Sequence, residues 1–191
     1  MRSTISAMLV PATAILVLAG AEGPVLGQST SGHRPPKTDV EMIANATSAG
    51  PAPISRDAAI VTMDGDKMRT LRQGKNEWTC VPDDPASPGN DPMCLDRNAM
   101  EWLQALMDHK DAPKGKMGLV YMLQGGSDAS NDDPFATQPP AGAKWVTTGP
   151  HVMVVGMSGM LPNLPRSAAD TSKPYIMWGG TSYEHIMMPV K

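Results

Sequence analysis

Two tripeptides, His151-Val152-Met153 and His185-Ile186-Met187, carry the most specific chemistry in this sequence. In a strand, alternate side chains share a face, so each tripeptide presents one imidazole and one thioether together. If the two strands are neighbours, His151, Met153, His185 and Met187 converge. That donor set suits Cu(I), because thioether ligation favours a soft metal. Trp178 could cap the site, since a cation is attracted to an indole face.

A second group is made of hard oxygens. Asp128, Asn131, Asp132 and Asp133 fall within six residues, and Asp83, Asp84, Asn90 and Asp91 within nine. Calcium takes six to eight oxygen ligands. Neither segment has EF-hand spacing, and Asp and Asn are also common turn formers. A third group is aromatic. Trp145, Tyr175, Trp178 and Tyr183 cluster in the C-terminal third beside Gly-rich turns and could line a binding surface.

Nucleophilic catalysis finds little support. Gly156-Met157-Ser158-Gly159-Met160 begins like a nucleophile elbow but ends in Met, without the strand–helix alternation that motif requires. Asp170-Thr171-Ser172 occurs once, whereas a paired-carboxylate mechanism needs two copies. The leading reading is therefore a non-enzymatic exported protein that binds a small ligand, a metal or a protein partner. One alternative is a small hydrolase-like enzyme using His151 or His185 as base, and the other is a Cu(I)-handling protein. No cofactor is firmly implied; copper and calcium are the candidates.

Composition narrows the classes. The chain has 191 residues, a formal charge of −3 and 41% hydrophobic residues, so a mildly acidic globular domain is expected and no nucleic-acid footprint. Met1-Arg2, an apolar stretch over 8–21 and the small residues Ala19-Gly20-Ala21 or Val25-Leu26-Gly27 read as a secretory signal over 1–27. The apolar run is too short for a membrane span. A polar leader over 28–37 is expected to be flexible, followed by one domain over 38–191. Export to the periplasm or beyond favours a disulfide between Cys80 and Cys94, the only two cysteines.

The elements follow from pattern. Val40, Ile43, Ala44 and Thr47 mark a helix capped at Thr38 or Asp39. Three strands over 58–63, 68–72 and 77–81 read as a meander, the first pair joined by Asp64-Gly65-Asp66-Lys67. Asp96 caps a helix over 97–109, with Ala99, Trp102, Leu103 and Leu106 on its apolar stripe. Strands follow at 117–123, 145–148, 151–156, 175–178 and 183–190, with a long polar loop over 124–143. The whole predicts an α+β fold: a mostly antiparallel sheet of six or seven short strands, two helices and one disulfide.

The stretch Trp78-Thr79-Cys80-Val81-Pro82-Asp83-Asp84-Pro85, closing with Asn90-Asp91-Pro92-Met93-Cys94, resembles a group of small secreted bacterial proteins. Gly149-Pro150-His151-Val152-Met153 and Tyr175-Ile176-Met177-Trp178 are similar to segments of the same group. The resemblance spans most of 56–190. It implies an exported bacterial protein, and it carries over neither an activity nor a catalytic residue.

Overall fold

The computed structural model describes residues 33–64, 67–160 and 163–190. The signal segment over 1–27, the first half of the leader (28–32) and Gly65-Asp66 of the first hairpin turn lie outside them.

Helix α1 (Asp39–Thr47) starts where the spacing predicts. Thr38 accepts from the Glu41 amide, and Glu41 reaches back to the Thr38 amide, a reciprocal capping box. A single turn, α2 (Ala52–Ser55), follows and opens on Pro51. The strands are β1 (Ala59–Asp64), β2 (Lys67–Arg72), β3 (Thr79–Val81), β4 (Met93–Leu95), β5 (Gly118–Met122), β6 (Gly126–Asp128), β7 (Val146–Thr148), β8 (His151–Val155), β9 (Tyr175–Met177) and β10 (His185–Pro189). Helix α3 (Arg97–Met107) lies between β4 and β5. Eight strands form one sheet in the order β2-β1-β3-β4-β5-β8-β10-β9, and β6 pairs with β7 in a small second sheet.

The fold is α+β with a mostly antiparallel sheet, as the pattern predicts, but the first three strands are not a meander. β3 pairs parallel to β1 on the side away from β2. The reason is burial. β2 reads Lys-Met-Arg-Thr-Leu-Arg, is largely exposed and belongs at an edge. Cys80 of β3 is fully buried and must face Cys94.

The sheet buries both faces. Cys94 and Tyr121 look toward α1, into a small core with Ala46, Ile60 and Cys80. Their neighbours Leu95, Val120 and Met122 look the other way, into the main core with Trp102. That alternation is the period of two expected of strands. Asp96 joins helix to sheet: it accepts from the Ala99 amide as N-cap and from the Leu119 amide of β5. Cys80 and Cys94 are register partners and are disulfide-bonded at a separation of 14 residues. A cross-link closing a loop of that length stabilises by about 3 kcal/mol.

The leader departs from expectation at its end. His33 contacts the buried Asp83 carboxylate at 2.6 Å, and Lys37 and Thr38 donate backbone amides to Glu41. The compact unit therefore begins at His33. Among the described residues, no helix is long and apolar enough to cross a membrane.

Candidate functional site

Strands β8 and β10 are antiparallel neighbours, and their register sets Met153 opposite Met187. His151, Met153, His185 and Met187 therefore share one face, as the alternation requires. The histidines sit at opposite ends of that face. His151 pairs with Pro189, while His185 lies two residues beyond Met187 in the other direction. Four residues along a strand separate the two backbones by roughly 13 Å. The face brings the four residues into one band, with an imidazole at either end rather than both at its centre.

Each imidazole is held the same way. His151 Nδ1 donates to the Gly149 carbonyl at 2.7 Å, and His185 Nδ1 to the Tyr183 carbonyl at 2.9 Å. Both residues are 1% exposed. Burial pushes the His185 imidazole down to about 4 and lowers His151 in the same direction, so both are neutral at pH 7. Neither Nε2 has a hydrogen-bond partner. A histidine acting as a general base needs a substrate path and commonly an acidic orienter on the other nitrogen. Here the orienter is a carbonyl and the ring is sealed. Ser158 of the elbow-like segment is also committed, donating to the Thr181 carbonyl at 2.9 Å.

The aromatic group is corrected. Tyr175, Trp178 and Tyr183 are 1%, 9% and 3% exposed and pack in the core, Tyr183 meeting the surface only at the rim of a cleft beside α3, while Trp145 is half-exposed. Trp178 stacks on Trp102 at 5.8 Å, and Tyr183 meets Trp102 edge-on at 6.0 Å. The Tyr183 hydroxyl reaches the Ala105 and Lys110 carbonyls at the end of α3. Eight aromatics are few for a domain this size, and the core claims most of them.

The oxygen-rich loop serves the backbone. Ser130 accepts from the Asp132 and Asp133 amides, Asp133 accepts from the Phe135 amide, and the Asn131 carbonyl accepts from the Trp178 amide. Among the described residues, no three His, Cys, Asp or Glu side chains are grouped to hold a metal, so the calcium reading has no preformed carboxylate set here. The aspartates of the disulfide loop bond likewise: Asp91 accepts from Ser87 Oγ and the Asp84 amide, and Asp83 from the Asp91 amide.

Asp128 stands apart, on β6. Burial and the nearby Asp91 carboxylate raise its carboxyl to about 7 from an ordinary 3.8. The folded state then holds a proton between about pH 4 and 7 that the unfolded chain has released. Its contribution is favourable at low pH and is lost as pH rises through 7. His185 runs the other way: its lowered value removes stability as pH falls from 6.5 toward 4. Asp128→Asn is expected to gain about 2 kcal/mol over the wild type at pH 8, discounted because the residue is only half-buried, and nothing at pH 4. Urea unfolding at both pH values checks this. Equal gains at both would detach the effect from ionisation.

One concave surface joins three residues that the pattern singles out, Asp132, Asp133 and Tyr183, with others that it does not. The end of α3 and the loop around 132–135 enclose an open cleft of about 470 Å³, bordered by His109, Lys110, Asp111, Asp132, Asp133, Phe135 and Tyr183. His109 has φ +53° because it closes α3: its amide bonds the Leu106 carbonyl, and the Lys110 amide the Ala105 carbonyl, the two bonds of a Schellman end. That geometry turns the imidazole onto Phe135, with ring centroids 4.5 Å apart and planes at 13°. Phe135 is the chain's one phenylalanine and is 43% exposed. The signal was present in sequence, as a lone large apolar residue within a polar loop.

Compared with protein-family models, with curated proteins and with solved structures, the chain has no match.

Proposed function

We propose that this protein is a non-enzymatic exported binding protein, and that its ligand is a small organic cation, an amine carried on an apolar body, held in the cleft beside Phe135. One observation carries the reading: a half-exposed Phe135 ring, fixed by stacking on His109, in a concave surface whose rim is acidic. Its volume lies within the range of small-molecule sites. Asp111, Asp132 and Asp133 supply negative potential. The one lysine on the rim, Lys110, is engaged by Asp108 at 2.9 Å. A phenyl face flanked by carboxylates attracts an ammonium and its hydrocarbon together. Export is supported by the N-terminal charge, apolar stretch and small-residue pattern, and the disulfide fits an oxidising compartment.

The test pairs phenethylamine with the near-isosteric 3-phenylpropionate in titrations followed by NMR shifts of the cleft residues. The amine is expected to bind and the carboxylate not. Phe135→Ala is expected to weaken amine binding roughly tenfold while leaving the melting temperature within a few degrees. Equal binding of the two compounds, or shifts elsewhere on the surface, would overturn the assignment.

A further inference from the structure

The band on β8 and β10 carries an inference that does not depend on the cleft. Buried polar side chains are nearly always hydrogen-bonded. Among the described residues, four buried side-chain atoms are not: Trp102 Nε1, Asn131 Oδ1, His151 Nε2 and His185 Nε2. Two of them are the same atom of the same residue type, on one sheet face. A carbonyl can only accept, so the Gly149 and Tyr183 carbonyls place the ring proton on Nδ1 of each histidine. Each Nε2 is left as a bare lone pair on a neutral ring. That is the state of a metal-binding imidazole, whose other nitrogen typically donates to a backbone carbonyl or carboxylate.

Thioethers lie beside both rings. His185 is the register partner of Met177 on β9, with Met187 two residues along its own strand. Directly paired residues have Cβ atoms about 5 Å apart, which allows both side chains to reach one ion. His151 is the register partner of Met122 on β5, with Met153 two residues along. A Cβ built on Gly126 would lie 2.9 Å from Met122 Cε and 3.4 Å from His151 Cε1, so these two side chains meet beneath one point. Met177 and Met187 are 1% exposed, Met122 and Met153 7%. His185 also meets Trp102 and Trp178 edge-on, at 5.3 and 5.0 Å. Trp178 holds φ +54°, a conformation a bulky residue adopts only under constraint. Its amide bonds the Asn131 carbonyl at 2.6 Å, and its indole the Ser130 carbonyl at 3.0 Å, which fixes the ring against His185.

We infer that this imidazole–thioether band binds Cu(I), one ion between His185, Met177 and Met187 and a second between His151, Met122 and Met153. The donors are neutral and soft, which favours a monovalent soft cation over zinc or calcium. The separation of the two histidine backbones along the sheet gives each its own ion rather than a shared one.

Anaerobic titration of the purified protein with Cu(I) against a chromophoric chelator, bicinchoninate, tests this. Two equivalents are expected to transfer. Met177→Leu with Met187→Leu preserves core volume and is expected to weaken one equivalent about 100-fold; His151→Gln is expected to remove the other. Melting curves show that each variant is folded. A control, Met63→Leu with Met68→Leu, alters two exposed methionines and is expected to change nothing. If wild type leaves all Cu(I) on the chelator, or if binding follows the exposed pair instead of the buried one, the inference is wrong. Neither outcome touches Phe135, so the cleft stands or falls separately.

Discussion

Trp102→Ala is expected to lower the unfolding free energy by about 3–5 kcal/mol, the cost of truncating a buried tryptophan. Trp102 is 3% exposed and is the side chain through which α3 reaches the aromatic end of the core. It stacks on Trp178 and meets Tyr183 and His185 edge-on. Removing it empties a space bounded by three other rings, and each of those rings is fixed by a hydrogen bond to a backbone carbonyl, Trp178 to Ser130, Tyr183 to Ala105 and His185 to Tyr183, so they cannot collapse inward cheaply. A domain of this size loses about 2–4 °C per kcal/mol, which makes the expected drop in melting temperature about 10 °C. Trp102→Phe separates the two contributions. It keeps a ring in place and deletes an indole N–H that has no partner, so it is expected to cost less than half as much. A loss under 1 kcal/mol for the alanine variant would mean that the buried face of α3 does not hold this end of the core.

The elements that were legible in the sequence are those decided within a few residues. Thr38 and Asp96 announce helix starts because a side-chain oxygen satisfies amides two or three positions ahead. Ala99 and Trp102 fall on one stripe because helical spacing puts them there. What stayed hidden was decided at long range. Nothing local says that β3 passes to the far side of β1, since that follows from Cys80 needing Cys94 while β2 tolerates water. Strand β4 is three residues after a proline-rich loop and becomes a strand only by lying between β3 and β5. Alternation placed His151 with Met153 and His185 with Met187, but the pairing of Met153 with Met187 is a register between distant segments. The protonation of the rings depends on the carbonyls of Gly149 and Tyr183, which pattern does not reveal. Pattern also does not divide the aromatic group: Tyr175 and Trp178 turn inward while Trp145 stays half-exposed, because proximity to Gly-rich turns says little about which way a strand faces.

Gly156→Ala is expected to destabilise by about 2–5 kcal/mol, for two reasons that add. Gly156 follows β8 with φ +74°, a left-handed conformation that costs an L-residue about 1–2 kcal/mol. The added Cβ would also sit 2.0 Å from the Lys116 carbonyl oxygen and 2.8 Å from its carbon. These are backbone atoms, so relief requires β5 and β8 to move apart, at a further cost of about 1–3 kcal/mol. The site matters because Gly118 pairs with Val155 and Met122 with His151 on the same two strands. Prising them apart at one end disturbs the register that places His151 and Met153. Urea unfolding is expected to show a lower midpoint with an unchanged slope. Gly115→Ala is the matched comparison: its φ is +70°, yet nothing lies within 4 Å of its Cβ, so it should pay the backbone cost alone. If the two variants lose the same amount, the close approach to Lys116 contributes nothing and conformational preference explains the whole effect.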